Sequence, residues 1–547
     1  MKRTGRIVSL LLCAALTAGA LSGCGGETQE EAQTLALRVS VCGALESLDP
    51  AMNTDGDAES VFYALYENLM RKSDDGSGRA VLSSGMAKEY TEEVNYDGTV
   101  TYRFTLRSSA RWSDGEKVTA DDFVYAWQRL ADPATGSPNH ALMSVVAGYD
   151  EVRESGDASR LQVSAKSESV FCVTLSSSCA YFIEGICTAA AAMPLRRDLG
   201  SAAFSGEKTV SNGAYCVSAW DGAGLSAEKN REYYEARLVG PDELRFVFAD
   251  DAESAWALYE KGEVDYVSRL PERVIEELSQ QEDWTPTELL ATCCVLYNNR
   301  TDLFSNEHTR RAFDLAIDRT AAAAAGGAEN LPASGLVPRG IADSGETEDD
   351  FRTTGGTLCA IDEEGLADRR EEAKSELTYA GYYSTAMFPP VELLYETSQE
   401  NDAVARSLQQ MWSETLGVNV MLRGVSQEEF ETRVAEGNYE LAMQKLAALY
   451  DDAMSFLDRW RTDSELNVIG YENGTYDVLL GVAAASEDLA ARVAFLHDAE
   501  VMLLGETALS PVYFDGTAHL LREGLRGVYC DGLGNSYFSG VRTEAEG

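Results

Sequence analysis

Positive charge is what this 547-residue sequence has least of: 45 Lys and Arg stand against 90 Asp and Glu, a formal net charge of −45. A phosphate backbone is held by clustered Lys and Arg, so nucleic acid is excluded as a partner. Broad adhesion to anionic lipid is disfavoured on the same ground. Histidine is nearly absent, with four residues (His140, His308, His497 and His519) scattered along the chain. The spacings among Cys172, Cys179, Cys187 and Cys216 match no zinc pattern, so no metal site is expected. There is no His-Glu-x-x-His, no Gly-x-Ser-x-Gly elbow and no phosphate-binding loop, hence no catalytic constellation and no cofactor motif. Gly222 to Ala227 fits the spacing of a dinucleotide loop, but a strand pattern follows it instead of a helix, and it reads as a hairpin turn. The absence of repeats of about 20–50 residues excludes solenoids and propellers. Beyond the first segment no run of about 18 apolar residues occurs, so the body is expected to be soluble.

What is present points to a folded chain. Apolar residues make up 45% and aromatics 9%, whereas a disordered acidic chain is poor in aromatics. At roughly 150 residues per domain the length suggests three or four units. Lys2, Arg3 and Arg6 precede an apolar run from Ile7 to Ala20, which is too short for a spanning helix and reads as a signal peptide over residues 1–23. Leu21-Ser22-Gly23-Cys24 resembles the lipobox of bacterial lipoproteins. That resemblance implies cleavage before Cys24, acylation of it, and an outward-facing body on a polar tether, residues 24–34. Of 11 cysteines, Cys13 and Cys24 lie in this segment. The other nine cannot all pair and are expected as buried thiols, with one bridge at most.

Along the body, strand and helix periods alternate. Residues 99–107 alternate as a strand. A helix begins after Thr119, with Asp121 and Asp122 in its acidic first turn, and Pro133 stops it. Helices are predicted at 61–70, 307–319, 366–380, 400–415, 427–437 and 486–504. Strands are predicted at 161–165, 170–175, 391–395, 418–422, 440–443 and 510–514. The mixture predicts an α/β architecture with large lobes.

Several blocks in this order resemble one family, the extracytoplasmic solute-binding proteins of peptide-type ABC transporters. They include SLDPA (47–51), LYENLM (65–70), WSDGEKVTADDFVYAWQR (112–129), SNGAYCVSAW (211–220), YNNRTDLFSNEHTRRAFDLAIDR (297–319), YDDAMSFLDRW (450–460) and SPVYF (510–514). The resemblance implies an α/β fold of two lobes joined by a hinge, with an extra domain. Its expected limits are lobe I at 35–66, 195–291 and 516–547, the extra domain at 67–194, and lobe III at 292–515. It also implies no enzymatic activity and no cofactor. Peptides would be captured in the inter-lobe cleft by closure and passed to ABC permease subunits with their ATPases. The ligand would be held as an added β-strand, by segments at Asp55, Gly56, Asp57 and Ala58 and at Gln444, Lys445, Leu446 and Ala447.

This sequence departs from the family at the pocket. Leu449 stands where an Asp commonly holds the peptide amine, and a desolvated ammonium left unpaired is costly. Asp451 is near in sequence. Asn139 and Gln427 replace aromatics, Arg433 matches a basic position for a ligand carboxylate, and Asp515 replaces another aromatic and is a candidate amine anchor. The alternatives are the same fold binding a non-peptide solute, or serving as a peptide sensor or adhesin.

Overall fold

The computed structural model describes residues 34–544 except 44, 46, 54–55, 75–79, 180, 205, 207–208, 282–283, 285, 344–349 and 487. The signal segment, Cys24 and Asp55 therefore lie outside the described residues. Leu37, Val39 and Val41 alternate along β1 (Ala36–Cys42) and are buried. The helix predicted at 61–70 is α1 (Gly56–Leu65). It stops early because the next residues bond elsewhere. Glu67 N–H donates to Asn212 Oδ1 at 3.2 Å and Asn68 Nδ2 to the carbonyl of Ala189 at 2.8 Å. Met70 then opens β2 (Met70–Asp74), which pairs with β3 (Ala80–Ser84).

Strands β4 (Ala87–Val94), β5 (Val100–Leu106), β6 (Val163–Ser167) and β7 (Val170–Leu175) form an antiparallel sheet in the order β4-β5-β7-β6. Helix α2 (Ala120–Ala131) packs on it through Phe123, Ala126, Trp127 and Leu130. Its start is fixed by the Asp122 carboxylate, which accepts from Thr119 N–H at 2.8 Å and from Trp112 Nε1 at 3.3 Å. The Trp112-to-Gly115 turn takes Gly115 to φ 90°, which suits glycine. The sequence blocks prove to be joints between segments. Ser113 and Ser211 exchange hydrogen bonds of 2.7 and 3.1 Å, and Arg129 grips Asp49 with both Nη atoms.

The hairpin β8 (Tyr215–Asp221) to β9 (Gly224–Lys229) turns at Gly222-Ala223, as the pattern predicts. Strand β10 (Glu243–Ala249), helix α3 (Ala252–Glu260) and β11 (Tyr266–Val267) follow. The chain then enters a second sheet at β12 (Thr287–Tyr297), whose last eight residues are all buried. Helix α4 (Glu307–Leu315) ends before the predicted 319, because Asp318 caps a new helix, α5 (Arg319–Gly326). Next come β13 (Leu331–Pro332), α6 (Leu366–Tyr379), β14 (Val391–Glu396), α7 (Gln399–Leu416), β15 (Val420–Val425), α8 (Gln427–Ala435), β16 (Leu441–Ala447), α9 (Leu489–Gly505), β17 (Leu509–Thr517) and β18 (Leu520–Leu521).

Two six-stranded sheets result, ordered β18-β11-β1-β10-β9-β8 and β13-β17-β12-β16-β14-β15. Each belongs to one lobe of a two-lobed α/β fold. The chain crosses between them at 268–286, which carries a helix at Glu272–Leu278, and at 518–519, and these two crossings form the hinge. In the first lobe one continuous core runs from β1 through the four-stranded sheet. The second sheet carries a core on each face. The nine described cysteines are thiols, none in a disulfide. No helix among the described residues is long and apolar enough to cross a membrane.

Candidate functional site

A cavity of about 480 Å³ lies where the two lobes face each other. The first lobe presents Glu59 and Tyr63 of α1, Lys72 of β2, Asn139, Tyr181 and Glu184. The second presents the end of β16 and the turn after it: Ala447, Ala448, Leu449, Tyr450, Asp458 and Arg459. The lobes touch at two places beside it. Lys72 Nζ lies 3.5 Å from Asp451 Oδ2, and the rings of Tyr181 and Tyr450 stack at 3.9 Å and 10°.

The register of β16 decides which of its backbone groups are paired. Ala448 N–H bonds to Leu290 O, and Asn298 N–H to Glu440 O, so even-numbered residues of this strand exchange bonds with β12. Antiparallel pairing alternates, which turns the N–H and C=O of Lys445 and Ala447 to the opposite side. There β14 pairs only with Leu441 to Met443. The end of β16 thus has no strand partner on this side beside the cavity, where the Ala447 carbonyl accepts from Arg459 Nη2 at 3.3 Å, and such an edge is the kind to which a strand adds.

The electrostatics are lopsided. Glu59, Glu184 and Asp451 come from three separate segments and surround one cation, Lys72, whose side chain is 7% exposed. Burial, then Asp531, pushes the Glu59 carboxyl up from 4.5 to about 7. Burial, then the neighbouring Asp451, raises Glu184. Burial also raises Asp451 against the pull of Lys72. Surplus carboxylates in a partly dry cleft make each other harder to ionise. A further space of about 420 Å³ shares Tyr63, Lys72 and Thr188 with this cavity. Its buried Glu67 is held by the Tyr233 and Tyr234 hydroxyls.

The structure sorts the sequence-predicted residues. Asn139 lines the cavity, with its amide on the carbonyl of Asn53 at 2.7 Å. Ala447 and Leu449 line it too, and Leu449 is 58% exposed. Asp451 stands just behind, on Lys72. Gln444 and Leu446 face β12 with their backbone, and Leu446 is buried. The strand expected over Asp55–Ala58 is corrected: Gly56, Asp57 and Ala58 form the first turn of α1, whose N–H groups point along a helix axis instead of across a sheet. Lys445 and Asp515 bond each other at 2.9 Å, with Glu400 on the same Nζ at 2.8 Å. The Asp515 carboxylate thus already has a cation of its own chain, and its side chain is 13% exposed. Arg433 bonds Glu392 at 2.6 Å, and Gln427 bonds Glu431 at 2.9 Å on the exposed start of α8; neither is in the cavity wall. Glu59, Lys72, Tyr181, Glu184 and Arg459 were not singled out by sequence. Glu59 lies on a helix, Lys72 on a strand and Arg459 in a turn, and none carries a periodic signal that marks it as a cavity residue.

Comparison with known proteins places this geometry. The sequence model for bacterial extracellular solute-binding proteins, family 5 (middle region), matches residues 82–467. The periplasmic oligopeptide-binding protein OppA of Escherichia coli is 29% identical over 535 residues, 94% of this chain and 93% of its own. An Escherichia coli protein named "Probable deoxycholate-binding periplasmic protein YgiS" is 28% identical over 498 residues, 87% of each chain. The structure of Haemophilus influenzae OppA in complex with RPPGFSPFR superposes with a TM-score of 0.74 at 25% identity, covering 93% of this chain and 99% of that one.

Proposed function

The chain belongs to the bacterial extracellular solute-binding proteins of family 5, and from that membership we propose that it captures peptides in the inter-lobe cleft. Members of this family bind solutes for transport and are not enzymes. The observation that carries the peptide reading is the end of β16 beyond Met443, which β14 leaves without a strand partner on that side and which brings Ala447 into the cavity wall. Backbone pairing on that edge gives affinity without depending on side chains. Both oligopeptide-binding proteins named above support the same reading.

In this reading closure brings Tyr181 to Tyr450 and Lys72 to Asp451 over the bound peptide. The closed form then docks on an ABC permease, whose partner ATPases supply the energy. Lipid on Cys24 keeps the protein at the outer face of the cell membrane. Residues 35–66, 195–291 and 516–547 form the first lobe, 67–194 a subdomain of it, and 292–515 the second lobe.

Thermal shift and native mass spectrometry of the chain from Thr34 with peptide pools test the reading. Retained peptides are the expected result, with stabilisation of about 2.7 kcal/mol at a hundredfold excess over Kd. No bound peptide, with another solute bound instead, contradicts it. A carboxylate-bearing non-peptide solute is the second reading, favoured by the deoxycholate-named relative.

A further inference from the structure

The four buried arginines among the described residues all have partners. Arg352 meets Glu500 at 2.6 Å, Arg492 meets Asp452 at 2.7 Å, and Arg319 meets Asp314 at 2.5 Å. Arg310 is wrapped by four backbone carbonyls. Arg459, half-buried in the wall of the inter-lobe cavity, forms no ion pair among the described residues. Its one hydrogen bond runs from Nη2 to the carbonyl of Ala447, at 3.3 Å. Its Nε is buried with no partner. Its neighbour Asp458 faces Arg461 at 3.6 Å. Trp460, fully packed in the core, fixes the turn that carries it and lies under the guanidinium at 5.9 Å. Burial lowers the Arg459 pKa, with no carboxylate to offset it.

A cation without a counter-ion in a partly dry wall is costly, and its fork of donors matches a carboxylate. The bond to Ala447 aims that fork at the open edge of β16. The rest of the cavity is rich in carboxyls: Glu59, Glu184 and Asp458 line it, Asp451 stands just behind, and Lys72 is the other cation in the wall. We propose that Arg459 holds a carboxylate of the bound solute, at the end of a segment paired with the β16 edge. The inference rests on cleft binding as proposed above. It specifies the ligand class: a peptide with a free terminal carboxylate, or another solute bearing the same group.

The test is calorimetric titration of the unaltered chain, Arg459→Gln and Arg459→Lys. The probes are tri- to pentapeptides as free acids and as C-terminal amides, with deoxycholate beside its uncharged methyl ester. Amidation is expected to weaken peptide binding at least tenfold in the unaltered chain. Arg459→Gln should bind acids and amides alike, and Arg459→Lys should keep part of the preference. The melting temperature of ligand-free Arg459→Gln is expected to match or exceed that of the unaltered chain, which separates a ligand-holding cation from a structural one. Deoxycholate bound over its ester, with that preference lost in Arg459→Gln and no peptide bound, keeps the inference and overturns the peptide reading. Equal binding of charged and uncharged forms, binding of no probe, or a preference that survives Arg459→Gln overturns the inference.

Discussion

Burial and mutual repulsion push the cavity's acids in one direction, and that gives the protein a pH signature. The folded state holds the Glu59 proton up to about 7, while the unfolded chain releases it near 4.5. A raised carboxyl pKa means the native state binds more protons across that window, so stability falls as pH rises through it. The contribution is fully present below 4.5 and gone above 7. Its size is on the order of 3 kcal/mol. Ligand-free Glu59→Gln is therefore expected to lose less melting temperature between pH 5 and pH 8 than the unaltered chain; an equal loss in both contradicts the assignment. At this scale the sequence was only partly legible. Ala447, Leu449 and Asn139, which sit beside recognisable blocks, line the cavity. Arg433 does not, because a glutamate on the adjacent strand β14, Glu392, pairs with it. Arg459 went unnoticed because an Asp-Arg-Trp turn looks like any solvated turn until its burial and missing counter-ion are known.

At the scale of elements, the strand predicted at 440–443 is present as β16, whereas the segment at 55–58 that the family resemblance implies as a pairing strand is not a strand. A short apolar run, Leu441 to Met443, locates β16, and its pairing parity decides which backbone groups β12 leaves free. The segment at 55–58 carries no such run, and Gly56 to Leu65 becomes a helix whose apolar side packs inward. Parity yields a sharp contrast. Ala447→Pro removes an N–H that faces the open edge, so the fold should persist while peptide affinity drops about tenfold or more. Leu446→Pro removes an N–H bonded to β12 and should cost about 3 kcal/mol or more of stability. Thermal melts and calorimetry on the pair separate the two. Equal destabilisation, with Ala447→Pro still binding at full strength, contradicts the parity.

For the whole molecule, the charge of −45 sets solubility and self-repulsion. The carboxylate surplus inside the cleft is a separate, local matter, and it leaves Arg459 as the attractive point for an anion. The two-lobed fold was legible because its joints, such as Asp49 with Arg129 and Ser113 with Ser211, are written as contiguous blocks. The cleft contacts were not, since Lys72 and Asp451 lie 379 residues apart in sequence. Closure requires the lobes to approach at Gly185, where an added Cβ would lie 2.7 Å from that of Tyr450. Gly185→Leu is expected to hold the lobes apart. Peptide should then bind at least tenfold more weakly, and X-ray scattering should show none of the contraction that peptide causes in the unaltered chain. Full contraction of this variant contradicts closure through this contact.

The most direct test of peptide capture as an added strand is amide hydrogen exchange, read by NMR on chains labelled with ¹⁵N-lysine, ¹⁵N-alanine and ¹⁵N-leucine. Saturating peptide should slow exchange at Lys445 and Ala447 severalfold or more and leave Leu446, already bonded to β12, unchanged. Tight peptide binding with no added protection at Lys445 and Ala447 would contradict the account.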